Sequence, residues 1–104
     1  MQGESPAAAV LRVGSLELDD ARHEATQDGR TLALTPKEFA LLRYFMSRPG
    51  EALSEFDLLT HVWDENANPQ TRTVRVTVMT LRRKLEGRPI ETVHGVGYRL
   101  REDA

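Results

Sequence analysis

Apolar and polar residues alternate in short stretches near the start of the chain, which predicts antiparallel β-strands. Residues 11–19, LRVGSLELD, alternate in two phases, and residues 31–35, TLALT, alternate again. The pair Asp28-Gly29 lies between them and is a favoured hairpin turn. The pattern therefore predicts three short antiparallel strands before the first helix.

The first of three predicted helices has a complete start signal. Thr35 can act as the N-cap, Pro36 suits the first helical position, and Glu38 completes a capping box. Apolar residues then recur at helical spacing until Pro49-Gly50 ends the helix. The residues predicted to face the core are Phe39, Leu42, Phe45 and Met46.

The second predicted helix begins in a similar way. Ser54 can cap it, and Asp57 takes the place of the glutamate in the capping box. The helix is predicted to end near Trp63, where a polar loop begins. The residues predicted to be buried are Leu58, Leu59 and Val62.

Residues 71–85, TRTVRVTVMTLRRKL, fit two patterns, and only one explains the whole stretch. The valines alternate with polar residues, as in a half-buried strand. The run LRRKLE favours a helix, and only a helix places the later leucines on the same face as Val74. On that helix Val76 and Met79 lie on the opposite, outward side. The residues predicted to face the core are Val74, Val78, Leu81 and Leu85.

The last segment, IETVHGVGYRLR at residues 90–101, predicts a β-hairpin. It has a β-branched run, a glycine-containing turn and a second strand-like run. The predicted order is thus short antiparallel strands, three helices and a hairpin, an α+β arrangement. The last two helices and the hairpin match a helix-turn-helix with a β-wing.

Length and composition limit the class of protein. The 104 residues are 39% hydrophobic and 29% charged, typical of one globular domain. We expect the domain to occupy residues 10–101, with residues 1–9 as a linker remnant and 102–104 as a tail. The start lacks the features of a signal peptide, and no run approaches the roughly 18 apolar residues of a membrane helix. We therefore expect no membrane partner. The absence of cysteine excludes disulfides and fits a cytoplasmic protein.

The charge distribution is more informative than the net charge of −2. Residues 1–69 contain six Lys/Arg against twelve Asp/Glu, a balance of −6, whereas residues 70–104 contain eight against four, a balance of +4. An acidic body with a basic C-terminal third favours a polyanionic partner on one face, although a solvated basic face would give the same pattern.

Catalysis and metal binding are not indicated. The three histidines, His23, His61 and His94, are scattered without the partners that a metal site requires. No Ser/His/Asp arrangement can be recognised either. The sequence therefore predicts neither an enzyme nor a cofactor.

Five short motifs of the chain carry a resemblance to a known family. They are L-T-P-K-E-F-A-L-L (34–42), V-W (62–63), R-T-V-x-V (72–76), L-R-R-K-L (81–85) and T-V-x-G-V-G-Y-R (92–99). With these motifs the chain resembles, over residues 10–101, the winged-helix DNA-binding effector domain of OmpR/PhoB-family two-component response regulators. The resemblance implies a transcription regulator that binds specific double-stranded DNA, with the third helix in the major groove and the wing near the adjacent minor groove. It also implies a receiver domain and a sensor kinase for the parent protein, dimerisation on two half-sites, and an isolated domain that is a monomer.

Four residues on the outward face of the third helix are the candidates for reading bases. Val76 and Met79 could pack on thymine methyl groups, and Arg83 could donate two hydrogen bonds to guanine. Thr80 could donate to a base edge or to a phosphate. The alternative is a solvated basic face with two incidental apolar residues.

A second set of residues is predicted to contact phosphate. Arg75 and Arg82 lie on one flank of the third helix, although Arg75 could instead form a salt bridge with an acid of the body, and Lys84 is interpreted as solvated or structural. Trp63 is either core or, as the resemblance implies, a contact, and Tyr98 is either a contact or simply packed. The predicted phosphate contacts are Trp63, Arg72, Thr73, Arg75, Arg82, Thr92 and Tyr98.

Two further sites follow from the resemblance. His94 stands in the wing turn, where the family commonly has an arginine, and it is predicted to approach the minor groove with a contact that depends on pH. The loop after the second helix, with Asp64, Glu65 and Asn66, is either a contact surface for RNA polymerase or a plain connector. The family usually has an acid where Arg75 stands, and often basic residues in place of Met79 and Thr80.

A second function class stays open at this stage. A winged helix can also serve as a protein–protein interaction module, with its basic face on an acidic partner. A salt-dependent affinity for duplexes together with a sequence preference would distinguish DNA binding from that alternative.

Overall fold

The N-terminal part of the chain is a four-stranded antiparallel sheet. The computed structural model describes residues 10–63 and 71–104. Neighbouring strands in this sheet are consecutive in the chain and joined by tight turns. The strands are β1 (Val10–Val13), β2 (Leu16–Asp19), β3 (Glu24–Gln27) and β4 (Arg30–Thr31).

The prediction of a strand over residues 31–35 is wrong, because the third strand is β3 and only Thr31 belongs to β4. The pattern was hidden by Gln27, a polar residue at a buried position. Its side-chain amide donates to the backbone oxygen of Glu86 at 2.7 Å and accepts from the N–H of Glu86 at 2.8 Å. A buried polar group that is fully hydrogen-bonded can replace an apolar residue in the core. The predicted Asp28-Gly29 turn is confirmed, with φ of 52° and 83° between β3 and β4.

The start signals of the first two helices are confirmed. In α1 (Pro36–Ser47), the N–H of Glu38 donates to Thr35 Oγ1 at 3.2 Å, and the N–H of Thr35 donates to Glu38 Oε1 at 2.9 Å. In α2 (Glu55–Val62), Ser54 and Asp57 make the same two bonds. All four residues predicted to face inward on α1 are buried, whereas on α2 Leu58 is buried and Leu59 and Val62 are half-buried.

The segment over residues 71–85 is helical, as predicted. It forms α3 (Thr71–Lys84), and Val74, Val78 and Leu81 are buried in the core together with Leu85. The three helices of the described residues pack against one another, and α1 also contacts β1. None of these helices is long and apolar enough to cross a membrane.

The C-terminal hairpin is confirmed, but it belongs to a sheet with a third strand that the sequence did not predict. The hairpin strands are β6 (Ile90–Val93) and β7 (Gly97–Leu100), and β5 (Leu53–Ser54) pairs with β7 on the other side. A Cβ on Gly97 would lie 2.0 Å from the oxygen of Leu53. Gly95, with a φ of 77°, forms the tight tip, whereas Gly97 is glycine because β5 approaches so closely.

Candidate nucleic-acid interface

The outward face of α3 exposes the apolar residues that were predicted to read bases. Val76 is 51% exposed and Met79 is 49% exposed, although the same helix buries its other apolar residues. Arg72, Thr73 and Arg83 are exposed on this helix as well. The Nη2 atom of Arg83 donates to the sulfur of Met79 at 3.6 Å, so these two side chains lie together. The result is a mixed apolar and cationic surface on one element.

Thr80 is only half-buried and is turned toward its own helix. Its hydroxyl donates to the backbone oxygen of Thr77 at 3.0 Å, and the hydroxyl of Thr77 donates to the backbone oxygen of Thr73 at 2.9 Å. Threonine hydroxyls in helices commonly make such bonds to the preceding turn. Thr80 would therefore have to change rotamer before it could donate to a base, and its predicted contact stays a prediction.

A buried carboxylate fixes the C-terminal end of α3 to α1. Lys84 Nζ lies 2.7 Å from Glu38 Oε1 and also donates to the backbone oxygen of Ala33 at 2.8 Å. Burial of Glu38 raises the pKa of its carboxyl group, but the hydrogen bonds from Lys84 and from the backbone of Thr35 outweigh burial and lower the pKa below its ordinary value. Lys84 is thus a structural charge rather than a solvated one.

The flank of α3 that faces the wing carries Arg75, which is bound to an acid. Its Nε donates to Glu55 Oε2 at 2.8 Å and its Nη2 donates to Oε1 at 3.4 Å. The hydroxyl of Tyr98 on β7 donates to the same Oε2 at 3.2 Å. The hydrogen bond from Arg75 holds the pKa of Glu55 below its ordinary value, and burial together with the charge of Glu55 raises the pKa of Tyr98. The structure therefore contains the salt bridge that was the alternative interpretation of Arg75.

Arg82 lies on the same flank, about two helical turns further along. Its Nη2 donates to Thr92 Oγ1 at 2.6 Å, and its guanidinium carbon lies 5.2 Å from the centre of the Tyr98 ring. The structure thus brings together four of the predicted phosphate contacts and one acid from α2. We call this group the wing junction; it consists of Glu55, Arg75, Arg82, Thr92 and Tyr98.

The tip of the wing is exposed. His94, Gly95 and Val96 form it, and the N–H of Val96 donates to the oxygen of Val93 at 2.9 Å, which closes the turn. Val96 is 51% exposed. The tip thus presents an imidazole and an isopropyl group to the outside.

The remaining predicted residues contribute less to this surface. Trp63 is buried at the end of α2, with Lys37 Nζ 5.6 Å from the centre of its ring, which fits the core interpretation; its phosphate contact stays a prediction. The proposed polymerase-contact residues Asp64, Glu65 and Asn66 lie outside the described residues.

Comparison with known proteins identifies the family. Residues 29–100 match the family that is described as "Transcriptional regulatory protein, C terminal". The chain belongs to this family. Among its relatives, the transcriptional regulatory protein CutR of Streptomyces coelicolor is 49% identical over 96 residues, which cover 91% of this chain and 44% of CutR. The chain thus spans less than half the length of the curated relatives that it matches.

Solved structures support the same assignment. The DNA-binding domain of CpxR from E. coli matches with a TM-score of 0.78 and 33% identity, covering 91% of this chain and 98% of that domain. The DNA-binding domain of AdeR, solved in complex with an intercistronic region, matches with a TM-score of 0.78 and 27% identity, covering 88% of this chain and 97% of that domain. The resemblance to the winged-helix effector domains of OmpR/PhoB-type regulators is therefore confirmed, and the chain belongs to a family of transcriptional regulatory proteins whose solved relatives include DNA-binding domains.

Sequence reasoning missed several charged residues of this winged-helix domain. A cleft of about 610 Å³ lies between α3 and β6, and two of its arginines, Arg88 and Arg101, were not predicted to contribute. Both belong to the basic C-terminal third, so the charge count pointed to them without placing them. Nothing in the sequence singled out Glu55. The residues that line the cleft are Met79, Arg82, Arg83, Arg88, Pro89, Ile90, Glu91, Thr92 and Arg101.

Proposed function

We propose that the domain binds specific double-stranded DNA with α3 in the major groove and the wing near the adjacent minor groove. The observation that carries this proposal is the outward face of α3, which leaves Val76 and Met79 about half exposed beside Arg83. A folding requirement does not explain these residues, because the core already takes the other apolar residues of the helix. The major groove is a partner that presents methyl groups next to hydrogen-bond acceptors.

Base reading would be divided among the outward residues. Val76 and Met79 would pack on thymine methyl groups, and Arg83 would donate to the O6 and N7 atoms of guanine. Thr80 would contribute a base or phosphate contact after its hydroxyl leaves Thr77. The proximity of Arg83 to the sulfur of Met79 supports a joint reading of neighbouring base pairs.

Phosphate contacts would position the domain without reading sequence. Arg72 and Thr73 would bind near the start of α3, and Arg82 would bind on the flank next to the wing. Thr92 and Tyr98 would contact the same backbone from the wing, and Trp63 from the end of α2. Arg75 is a candidate that would first have to leave Glu55.

The wing and the loop would add two weaker interactions. His94 would approach the minor groove from the exposed tip of the wing. Asp64, Glu65 and Asn66 would present acidic and amide groups to a basic region of RNA polymerase. We further propose that the domain occupies residues 10–101, after a linker at 1–9 and before a tail at 102–104.

The parent protein is proposed to be a cytoplasmic two-component response regulator. It would receive its signal through a receiver domain and a sensor kinase, and it would dimerise on two half-sites about one helical turn apart. The isolated domain would be a monomer. We assign it no catalytic role and no cofactor, because the sequence contains no recognisable nucleophile arrangement or metal-ligand pattern.

Selection from randomised duplexes, followed by a salt titration, tests the proposal. We expect enrichment of one consensus, and a fall of log affinity with log salt of about 0.9 for each phosphate neutralised. Binding without a consensus, at the level of any duplex, would count against sequence-specific recognition. Tight binding to acidic proteins but not to duplexes would favour the interaction-module alternative.

A further inference from the structure

Two arginines on the same flank of α3 have partners of different charge. Arg75 is bound at two points to the carboxylate of Glu55, at 2.8 and 3.4 Å. Arg82 donates to the hydroxyl of Thr92 and lies over the ring of Tyr98, and no acid is paired with it among residues 10–63 and 71–104. The positive charge of Arg75 is therefore compensated within the wing junction, whereas that of Arg82 is not.

Glu55 is well placed to retain Arg75. It stands at the first residue of α2, where the helix N-terminus stabilises a negative side chain. Its side chain is 25% exposed, against 61% for Arg75, and it also accepts a hydrogen bond from Tyr98 at 3.2 Å. If Arg75 moved to a phosphate, this carboxylate would lose its cation and would face the DNA backbone as a like charge.

We propose that Glu55 masks Arg75 and so lowers the affinity of the domain for DNA of any sequence. The inference rests on the proposed function, in which the flank of α3 and the wing face the phosphate backbone. Phosphate contacts raise affinity for all sequences, whereas base contacts raise it only for the target. A masked arginine therefore reduces non-specific binding and leaves base reading unchanged, which makes Glu55 a determinant of specificity.

The test compares variants of the 104-residue chain on a duplex that lacks the selected consensus. Glu55→Gln keeps the shape of the side chain and removes its charge, so Arg75 becomes available to phosphate. We expect tighter binding, a salt slope steeper by about 0.9, and therefore about a threefold larger loss of affinity between 50 and 200 mM salt than for the wild type. The ratio of target to non-target affinity should fall.

A double variant and a matched control separate masking from a change in net charge. Glu55→Gln combined with Arg75→Gln removes both members of the pair, and we expect the salt slope of the wild type. Glu17→Gln removes an acid paired with Arg12 on the N-terminal sheet, at 2.6 Å, and changes the net charge equally. We expect this control to bind as the wild type does, since its arginine lies on another element.

Two results would overturn the inference. In the first, the salt slope of the double variant is shallower than that of the wild type by about 0.9, which would show that Arg75 contacts phosphate despite Glu55. In the second, Glu55→Gln binds no differently from Glu17→Gln. Thermal unfolding checks that each variant is folded. If Glu55→Gln is not folded, the salt slope of the double variant alone is the test. A wild type with no salt-dependent affinity would instead refute the proposed function.

Discussion

The two faces of α3 contain similar residues in opposite environments. Val74 is fully buried, whereas Val76, two residues along, is 51% exposed. Leu81 lies in the core, whereas Met79 is half exposed and accepts a hydrogen bond from Arg83. Hydrophobicity therefore does not by itself tell which residues of this helix stabilise the fold. The face of α3 on which a residue lies decides whether it stabilises the fold, and that face follows from the helical period.

Two ion pairs among the described residues show the same division on α3. Lys84 reaches inward to the buried Glu38 of α1, and this pair holds the helix on the body. Arg75 reaches along the surface to Glu55, next to the proposed phosphate contacts. One pair positions the helix, and the other neutralises a positive charge on the flank of the helix that we propose to face DNA.

The largest expected effect is a difference in the free energy of unfolding between substitutions on the two faces of α3. Leu81→Ala should lower the free energy of unfolding by about 2–5 kcal/mol, because it leaves a cavity in the core. Met79→Ala should change it by only about 0.5 kcal/mol, because the side chain is half exposed. Denaturant unfolding followed by circular dichroism measures both. Equal losses would mean that the outward residue is part of the core after all.

A second experiment measures the recognition of DNA by the outward face instead of the stability of the domain. Val76→Ala and Arg83→Ala should each relax the preference at one or two base pairs by about 1–3 kcal/mol, with little change in stability. Selection from randomised duplexes gives the consensus of each variant. If both variants select the consensus of the wild type, the assignment of base-reading residues is wrong.

Acid should weaken the ion pair between Lys84 and Glu38, which holds the inner face of α3 on α1. Because the pKa of Glu38 is lowered in the folded chain, its stabilising contribution is complete well above the pKa of an ordinary glutamate. The contribution should be lost as pH falls past that ordinary pKa and through the lowered one, since the unfolded chain binds the proton more readily. Unfolding measured from pH 6 to pH 3 should therefore show a shallower acid decline for Glu38→Gln than for the wild type. Parallel curves would show that this carboxylate does not contribute.

The smallest expected effect concerns the wing. His94→Arg should strengthen DNA binding more at pH 8 than at pH 6, because a histidine gains charge in acid and an arginine is charged at both. Titrations at constant salt with the wild type and the variant measure the ratio of their affinities. A ratio that is the same at pH 6 and pH 8 would remove His94 from the minor-groove contact.

Much of the fold could be predicted because its signals are local. The caps of α1 and α2 each lie within four residues, and the helical period of α3 is complete within the helix itself. The third and fifth strands could not be predicted in the same way. β3 places Gln27 in the core through bonds to Glu86, and β5 is two residues long and forms only against β7.

The candidate site divides along the same line. The sequence by itself determined that Val76, Met79 and Arg83 face outward on α3, since the direction of a side chain on a helix follows from its position in the period. Only the tertiary structure decided what Arg75 is bound to, because Glu55 is 20 residues earlier on another helix. A count of charges along the chain includes Arg75 and Glu55 but does not show that they form an ion pair. Whether an arginine is available to DNA depends on the distance to the nearest acid, and packing sets that distance.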